Sequence, residues 1–229
     1  MSPTDDSHLA LWDDIFKSRP WGKYPSEDLV RFMARTFRAV EDRGGIKVLD
    51  VGCGPGTNLC FLVREGYQIA GIDGSPEAIQ LAEAWLEREF AATDDTSYDL
   101  RVGNFATLDW ADEEFDVAIN LHSISSNTLK TIQACIGEVH RVLKPGGSYF
   151  GKMFGTKTTG SASGVILDDG TCENPLEGLC KDLGFSHFFD KPELETLFSG
   201  FARLSIDSSL RTDNNGRVEI FEWVVTAQK

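Results

Sequence analysis

The residues best suited to chemistry lie in one short loop, VLDVGCGPGTN, at positions 48–58. An apolar, strand-like run leads there into three glycines, at positions 52, 54 and 56. Loops of this kind let the backbone approach a nucleotide closely, because glycine accepts positive φ and has no side chain. The loop therefore predicts a nucleotide-like ligand, and the residues that follow decide which one.

Those residues exclude two common nucleotide sites. A dinucleotide loop, G-x-G-x-x-G, has its last glycine where this sequence has Thr57, and no Lys-Ser or Lys-Thr follows to complete a P-loop. Asp73 ends the next apolar run, roughly 20 residues later, where a carboxylate can accept hydrogen bonds from both ribose hydroxyls and would repel a 2′-phosphate. The sequence favours a ribose site at Asp73; a carboxylate that only caps a turn is the alternative.

The elements that must position these residues alternate between β-branched runs and helical stretches, which is typical of a parallel sheet with crossover helices. Ser75, Pro76 and Glu77 favour a helix start. The predicted strands are 46–51, 68–72, 98–102, 115–120 and 147–153. The predicted helices between them are 58–65, 76–90 and about 129–143.

The two ends of the chain differ from this alternating middle. Two helices are predicted before the first strand, at about 8–16 and 26–40, and the second places Leu29, Met33, Phe37 and Val40 on one face. A further helix is predicted at 192–198. Two extended runs, 201–210 and 218–227, flank the turn sequence RTDNNGR, so they predict an antiparallel hairpin.

Four stretches together resemble the class I S-adenosylmethionine-dependent methyltransferases. They are VLDVGCGPGTN, GIDGSPEAI, FDVAINLHSI and EVHRVLKPGGSYF, in that order across about residues 46–150. The resemblance implies a single α/β domain with a Rossmann-like, mostly parallel seven-stranded sheet, helices on both faces and a C-terminal antiparallel hairpin. Residues 1–45 would form a helical cap, residues 46–150 the cofactor-binding core, and residues 151–229 the acceptor side.

The resemblance implies S-adenosyl-L-methionine as cofactor and S-adenosyl-L-homocysteine as product. The glycine loop would then lie against the aminocarboxypropyl and ribose parts, not a phosphate. Asn104 would accept a hydrogen bond from the adenine amino group, where family members often have an acid; a plain turn asparagine is the alternative. The expected cofactor contacts are Asp50, Gly52, Cys53, Gly54, Asp73, Gly74, Asn104, Phe105, Asn120 and Leu121.

The residues after the fourth strand, Asn-Leu-His-Ser at 120–123, would face the transferred methyl group. They lack the Pro-Pro-aromatic sequence of DNA adenine methyltransferases, and the chain has no Pro-Cys pair for cytosine C5 chemistry. In-line transfer from a sulfonium mainly requires alignment of the reactants. His122 is the candidate general base, because imidazole titrates near neutral pH; a histidine that only shapes the pocket is the alternative.

The expected acceptor walls come from the segments outside the core. The sequence GKMFGTKTTGSASG, at 151–164, lacks helical or strand pattern and is predicted to be a functional loop. The aromatic residues between positions 12 and 24 are predicted to form a lid that orders on ligand binding; packing on the core is the alternative. Basic residues in these segments suggest the hypothesis of O- or N-methylation of a small anionic or sugar-like molecule; solvated loop charges are the alternative. The expected acceptor contacts are Trp21, Lys23, Tyr24, Lys152, Lys157 and Arg211.

Composition narrows the class of partner. A net charge of −14 disfavours nucleic acid, whose binding depends on Lys and Arg neutralising phosphates. No apolar run approaches the roughly 18 residues of a membrane span, and the acidic amino terminus does not resemble a secretion signal, so a cytoplasmic location is expected. The five scattered cysteines favour a reduced compartment. Cys172, Cys180 and His187 match no zinc spacing, so no metal is expected.

Three other classes of function stay open: a non-catalytic cofactor-binding regulator, an NAD-dependent oxidoreductase, and a methyltransferase acting on protein or RNA. Thr57 and the terminal hairpin disfavour the second class. The net charge and the lack of an added recognition domain disfavour the third.

Overall fold

The computed structural model describes residues 5–90 and 98–229. In chain order, the strands in these residues are β1 (Lys47–Val51), β2 (Gln68–Asp73), β3 (Tyr98–Val102), β4 (Phe115–Leu121), β5 (Leu143–Phe154), β6 (Val165–Ile166), β7 (Cys172–Glu173), β8 (Phe185–Ser186), β9 (Arg203–Asp213) and β10 (Val218–Gln228). The α-helices are α1 (Asp5–Ser18), α2 (Glu27–Thr36), α3 (Thr57–Arg64), α4 (Pro76–Phe90), α5 (Leu129–Val142) and α6 (Lys191–Leu197), and a 3₁₀ helix spans Ser123–Ser126.

The central sheet has seven strands in the order β3-β2-β1-β4-β5-β10-β9. The first five strands pair in parallel, and β10 pairs antiparallel with both β5 and β9. The predicted fold is confirmed. Strand order reverses between β1 and β4, and in open α/β sheets ligands bind at the carboxyl ends of the strands beside such a reversal.

Two apolar layers cover the two faces of the sheet. Helices α2, α3 and α4 bury Leu29, Leu59 and Leu86 on one face, whereas α5 and α6 bury Ile132 and Leu194 on the other. Burial of each such side chain stabilises the fold by about 1.5–3 kcal/mol. Within the part of the chain that the structure describes, no helix is long and apolar enough to cross a membrane.

Local sequence sets the start of α4 as predicted. The Ser75 hydroxyl accepts a hydrogen bond from the amide of Ala78 (3.1 Å), and Pro76 occupies the first helical position. The second amino-terminal helix is shorter than predicted, because it ends at Thr36. The ring of Phe37 instead packs edge-on against Tyr67, 5.6 Å between centroids, and Val40 is exposed.

The predicted loop at 151–164 is wrong over its first four residues. These residues form the buried end of β5, which lies between β4 and β10 and bonds to both. The predicted strand at 147–153 covers three of these four residues and is correct there, so their Gly- and Lys-containing composition misled only the overlapping loop prediction. Further along, β6, β7 and β8 form a small antiparallel sheet that the sequence did not predict.

Candidate active site

A cavity of about 540 Å³ opens at the carboxyl ends of β1, β2 and β4. This volume lies within the range of small-molecule and cofactor sites, about 300–1,000 Å³. Its walls come from the glycine loop, from α1 and the chain after it, from the residues after β3 and β4, and from the segment between β7 and β8.

The glycine loop turns sharply beneath this cavity. The amides of Gly52 and Cys53 donate to the carbonyl of Ile72, at 2.7 and 3.0 Å. Gly52 has φ +74°, and a Cβ at that position would lie 2.1 Å from the Ser123 hydroxyl. Only glycine therefore lets the loop pack against the 3₁₀ helix that follows β4. Gly52, Cys53 and Gly54 line the cavity.

Asp73 joins the end of β2 to this loop. One carboxylate oxygen accepts from the amide of Gly54 (2.9 Å) and the other from the amide of Ser75 (3.0 Å). Burial raises the pKa of Asp73, and these backbone hydrogen bonds act in the opposite direction. An ionised carboxylate offers about four acceptor positions, so both oxygens can still accept from a ligand. The capping and ribose roles of Asp73 are thus compatible.

Asp50 lies under the loop and is fully buried. One oxygen accepts from the Asn58 side chain (3.1 Å), and among the described residues its other oxygen has no hydrogen-bond partner. Burial, with a smaller contribution from the charge of Asp73, raises the pKa of Asp50 to about 7, against the Asn58 hydrogen bond. Asn58 belongs to the described cavity wall and Asp50 does not.

The predicted adenine residues line the cavity on another side. The side-chain oxygen of Asn104 accepts from the amide of Ala106 (2.8 Å), which is the contact expected of a plain turn asparagine. The same oxygen keeps one free lone pair that could accept a further hydrogen bond. Phe105 and Gly74 also line the cavity. Asn120 does not belong to the described wall: its side chain donates to the carbonyl of Val51, at 2.6 Å, and so ties β4 to β1.

His122 occupies the wall beside Leu121, with φ +70°. Its Nε2 is hydrogen-bonded to the Glu222 carboxylate, and its ring stacks on Phe154 with 4.7 Å between centroids. Glu222 also forms an ion pair with Lys152, at 3.0 Å. Burial works to raise the pKa of Glu222, but hydrogen bonds and charge from His122 and Lys152 outweigh it, and the pKa falls to about 2. The histidine thus faces a buried, ionised carboxylate.

The structure divides the predicted acceptor residues into two sets. Trp21, Tyr24 and Arg211 line the cavity. The three lysines are absent from its described wall. Lys152 is buried between two carboxylates, and the ammonium of Lys157 lies 5.2 Å from the Phe221 ring.

Helix α1 covers the cavity, and sequence reasoning did not find how it is held there. The carboxylate of Asp13 accepts from the Ser75 hydroxyl (2.6 Å) and the Glu77 amide (3.0 Å), so it caps α4 from another helix. Hydrogen bonds from Lys17 first, then Ser75, lower the pKa of Asp13 to about 2. The predicted position of the lid over the cavity agrees with this arrangement, whereas its ordering on ligand binding stays a prediction.

Two further groups on the cavity wall, Arg19 and Glu222, escaped the sequence prediction. Glu222 left one usable signal, since it is an acid inside the apolar strand sequence IFEWVV. Arg19 left none, because it lies in a polar segment with other charges. His187, which matches no zinc spacing, is buried and bonds to Thr171 and Glu193.

The fold and this site define an α/β protein with a cofactor-sized cavity at its strand ends, and comparisons with known proteins sharpen that class. A family model described as a methyltransferase domain matches residues 49–151. The chain is 31% identical to an uncharacterised methyltransferase of Synechocystis sp., over 46% of this chain and 45% of the relative. It is 28% identical to a ubiquinone biosynthesis O-methyltransferase of Chelativorans sp., over 61% of this chain and 55% of the relative.

A crystal structure of a SAM-dependent methyltransferase from Methanosarcina mazei is similar over 90% of this chain and 98% of that one, with a TM-score of 0.67 and 26% identity. Together, the matched domain, these relatives and this structure support a class I S-adenosylmethionine-dependent methyltransferase. The predictions of that family and of its cofactor are confirmed. The chain spans about half the length of the curated relatives that it matches.

Proposed function

We propose that this protein transfers the methyl group of S-adenosylmethionine to an oxygen or nitrogen atom of a small anionic or sugar-like molecule. The observation that carries the proposal is one cavity with two chemically different ends. Asp73 and the glycine loop form an end suited to a nucleoside. His122, hydrogen-bonded to Glu222, forms an end suited to proton removal.

At the nucleoside end, Asp73 would accept hydrogen bonds from the two ribose hydroxyls, and the backbone of Gly52 and Gly54 would lie against the aminocarboxypropyl part. Asn104 and Phe105 would bind the adenine. When bound, this cofactor supplies a methyl group already activated by a positively charged sulfur. The protein's task is therefore alignment and exclusion of water, which can lower the barrier by about 7–11 kcal/mol.

At the other end, His122 would take the proton that the acceptor loses as its lone pair attacks the methyl carbon. Arg19 and Arg211 line the same cavity and can bind a carboxylate or phosphate of the acceptor. In this proposal Arg211 keeps its expected role, and Arg19 takes the place of the three expected lysines. Trp21 and Tyr24 also line this cavity.

Calorimetry with S-adenosylhomocysteine tests the nucleoside end. Asp73→Ala removes two charge-assisted hydrogen bonds to ribose, each worth about 1.5–3 kcal/mol. We expect Kd to rise on the order of 10²-fold or more. Asp116→Asn is the matched control, since this carboxylate also accepts a backbone amide (Lys47, 2.9 Å) but lies at the start of β4. Tight binding of a nicotinamide dinucleotide and none of S-adenosylhomocysteine would refute the proposal.

Turnover tests the acceptor end, with panels of carboxylated, phosphorylated and neutral molecules of similar size. We expect activity with anionic acceptors, a raised KM in Arg19→Gln and Arg211→Gln, and an unchanged KM in Arg217→Gln, whose arginine lies in the β9–β10 turn outside the described cavity wall. His122→Asn should lower kcat by about 10²–10⁴-fold. Activity confined to neutral acceptors would contradict the anionic class and leave the methyltransferase proposal intact.

A further inference from the structure

A partly buried chain of charges extends from α2 to the candidate base. Lys152 Nζ lies 2.9 Å from Asp28 Oδ2 and 3.0 Å from Glu222 Oε2, and Glu222 Oε1 is hydrogen-bonded to His122 Nε2. The side chains of Lys152 and Glu222 are only 8% and 10% exposed. The Ser209 hydroxyl also donates to Glu222 Oε2, at 3.3 Å. Each oxygen of the Glu222 carboxylate therefore has an assigned partner.

Resting on the proposed function, we propose that Glu222 is a positioning residue that holds the imidazole proton of His122 on Nε2 and leaves Nδ1 as the atom that accepts the acceptor's proton. A neutral imidazole carries one N–H, and an ionised carboxylate can only accept. Nε2 therefore donates to Glu222. Among the described residues no hydrogen bond involves Nδ1 of His122, and the side chain is 33% exposed on the cavity wall.

Two contacts fix the plane of this imidazole. The ring lies nearly parallel to Phe154, with 17° between the planes, and the backbone amide of His122 donates to the carbonyl of Lys152 at 2.9 Å. A ring held on one face and at Nε2 cannot rotate freely to exchange its two nitrogens. The orientation of the base is therefore set by residues from β4, β5 and β10 together.

Lys152 determines which oxygen of Glu222 is left for the histidine. Its ammonium, held also by Asp28, takes Oε2, so Oε1 faces Nε2. Ionised Glu222 is the form that this arrangement requires, in agreement with a pKa lowered to about 2 by His122 and Lys152 despite burial. This accounts for a buried lysine that the sequence had placed in the acceptor site.

The methyl-transfer step that follows from this arrangement conserves atoms and electrons. The acceptor's O–H or N–H bond breaks as its proton passes to Nδ1, while its lone pair forms the new bond to the methyl carbon and the sulfur keeps the electrons of the broken S–C bond. His122 becomes a cation beside the Glu222 carboxylate, which stabilises that charge. The proton then leaves to solvent and restores the neutral ring.

Nitrogen-15 NMR of histidine-labelled wild-type protein tests the tautomer directly. The chain has four histidines, and the His122→Asn spectrum assigns the signals of His122. In the spectrum of the neutral imidazole we expect a protonated Nε2 and an unprotonated Nδ1. A neutral His122 with its proton on Nδ1 would overturn the inference, and this measurement needs no folded Glu222 variant.

Glu222→Gln tests the consequence for catalysis. Lys152 can only donate, so it takes the amide oxygen, and the amide NH₂ then faces His122 and moves its proton to Nδ1. We expect an inverted tautomer and a loss of kcat on the order of 10²-fold, with KM within about twofold, because the general base contributes 10²–10⁴-fold.

Glu193→Gln is the matched control, since Glu193 pairs with buried His187 at 2.9 Å and lies outside the described cavity wall. It should leave the His122 signals and kcat unchanged. Wild-type kcat in Glu222→Gln would overturn the inference while the proposed function stands. Binding of S-adenosylhomocysteine without turnover of any acceptor would defeat the proposed function, and the tautomer would still be measured.

Discussion

Asp50→Asn offers a quantitative test of the energetics beneath the glycine loop. Burial raises the pKa of Asp50 to about 7, whereas an aspartate in an unfolded chain titrates near 3.9. One pKa unit corresponds to 1.36 kcal/mol, so ionised Asp50 lowers the free energy of unfolding by about 4 kcal/mol. The Asn58 side chain can still donate to the oxygen of an asparagine at this position.

The direction of the pH dependence follows from how many protons the folded and unfolded states bind. Between about pH 4 and pH 7 the folded state keeps a proton that the unfolded state releases, so the contribution of Asp50 to stability falls as pH rises through this window. Above pH 7 both states release it and the contribution levels off. Asparagine does not titrate. Relative to the wild type, Asp50→Asn should therefore gain about 2–3 kcal/mol of stability between pH 5 and pH 8.

Urea unfolding of both proteins at pH 5 and pH 8 measures this difference, and any constant cost of the amide cancels. Asp99→Asn is the control. Burial acts to raise the pKa of Asp99, but hydrogen bonds from Arg101 and Trp110 outweigh it and lower the pKa. This carboxylate is therefore ionised in the folded and the unfolded state from pH 5 to pH 8. Its substitution should change stability equally at the two pH values. Parallel stability curves for wild type and Asp50→Asn would refute the reasoning.

Two further substitutions test the loop and the lid. Gly52→Ala should destabilise the fold by about 2–5 kcal/mol in urea unfolding, because overpacking against Ser123 (about 1–3 kcal/mol) adds to left-handed backbone strain (about 1–2 kcal/mol). Gly146→Ala, at φ +79° with open space around it, should cost only the backbone strain. Equal losses of stability in the two variants would contradict the proposed collision with Ser123. Asp13→Ala should cost about 1 kcal/mol by loss of the α4 cap and speed proteolysis near residue 20, whereas exposed Asp14→Ala should do neither. If S-adenosylhomocysteine does not slow proteolysis of the wild-type protein near residue 20, the predicted ordering of the lid on ligand binding is contradicted.

The cofactor end of the site was predictable because its parts are local in sequence. The glycines of the loop follow β1 within a few residues, and Asp73 ends the next strand. Their geometry depends on positive φ, on a strand end and on a parallel pairing, all of which leave a pattern in the residues themselves. The same holds for α4, whose start at Pro76 is set by its own capping residues.

The acceptor end was less predictable because its parts meet only through the sheet. His122 and Glu222 are 100 positions apart, and their contact requires β5 to lie between β4 and β10. Lys152 was expected to bind an anion from solvent. Lys152 lies near the end of a predicted strand, but two carboxylates from separate elements, Asp28 of α2 and Glu222 of β10, neutralise its charge.

The turn that follows β2 connects Asp73 to helix α1, and α1 therefore contributes to both ends of the cavity. Asp73 is the last residue of β2 and lies on the cavity wall. Two residues later, the hydroxyl of Ser75 donates to the carboxylate of Asp13 in α1. A ligand held by Asp73 therefore contacts the same turn that anchors the helix over the cavity. Any movement of α1 away from this turn must break the Asp13 hydrogen bonds to Ser75 and Glu77. Since Arg19 follows that helix, we expect a ligand bound at Asp73 to stabilise the position of Arg19 through this junction.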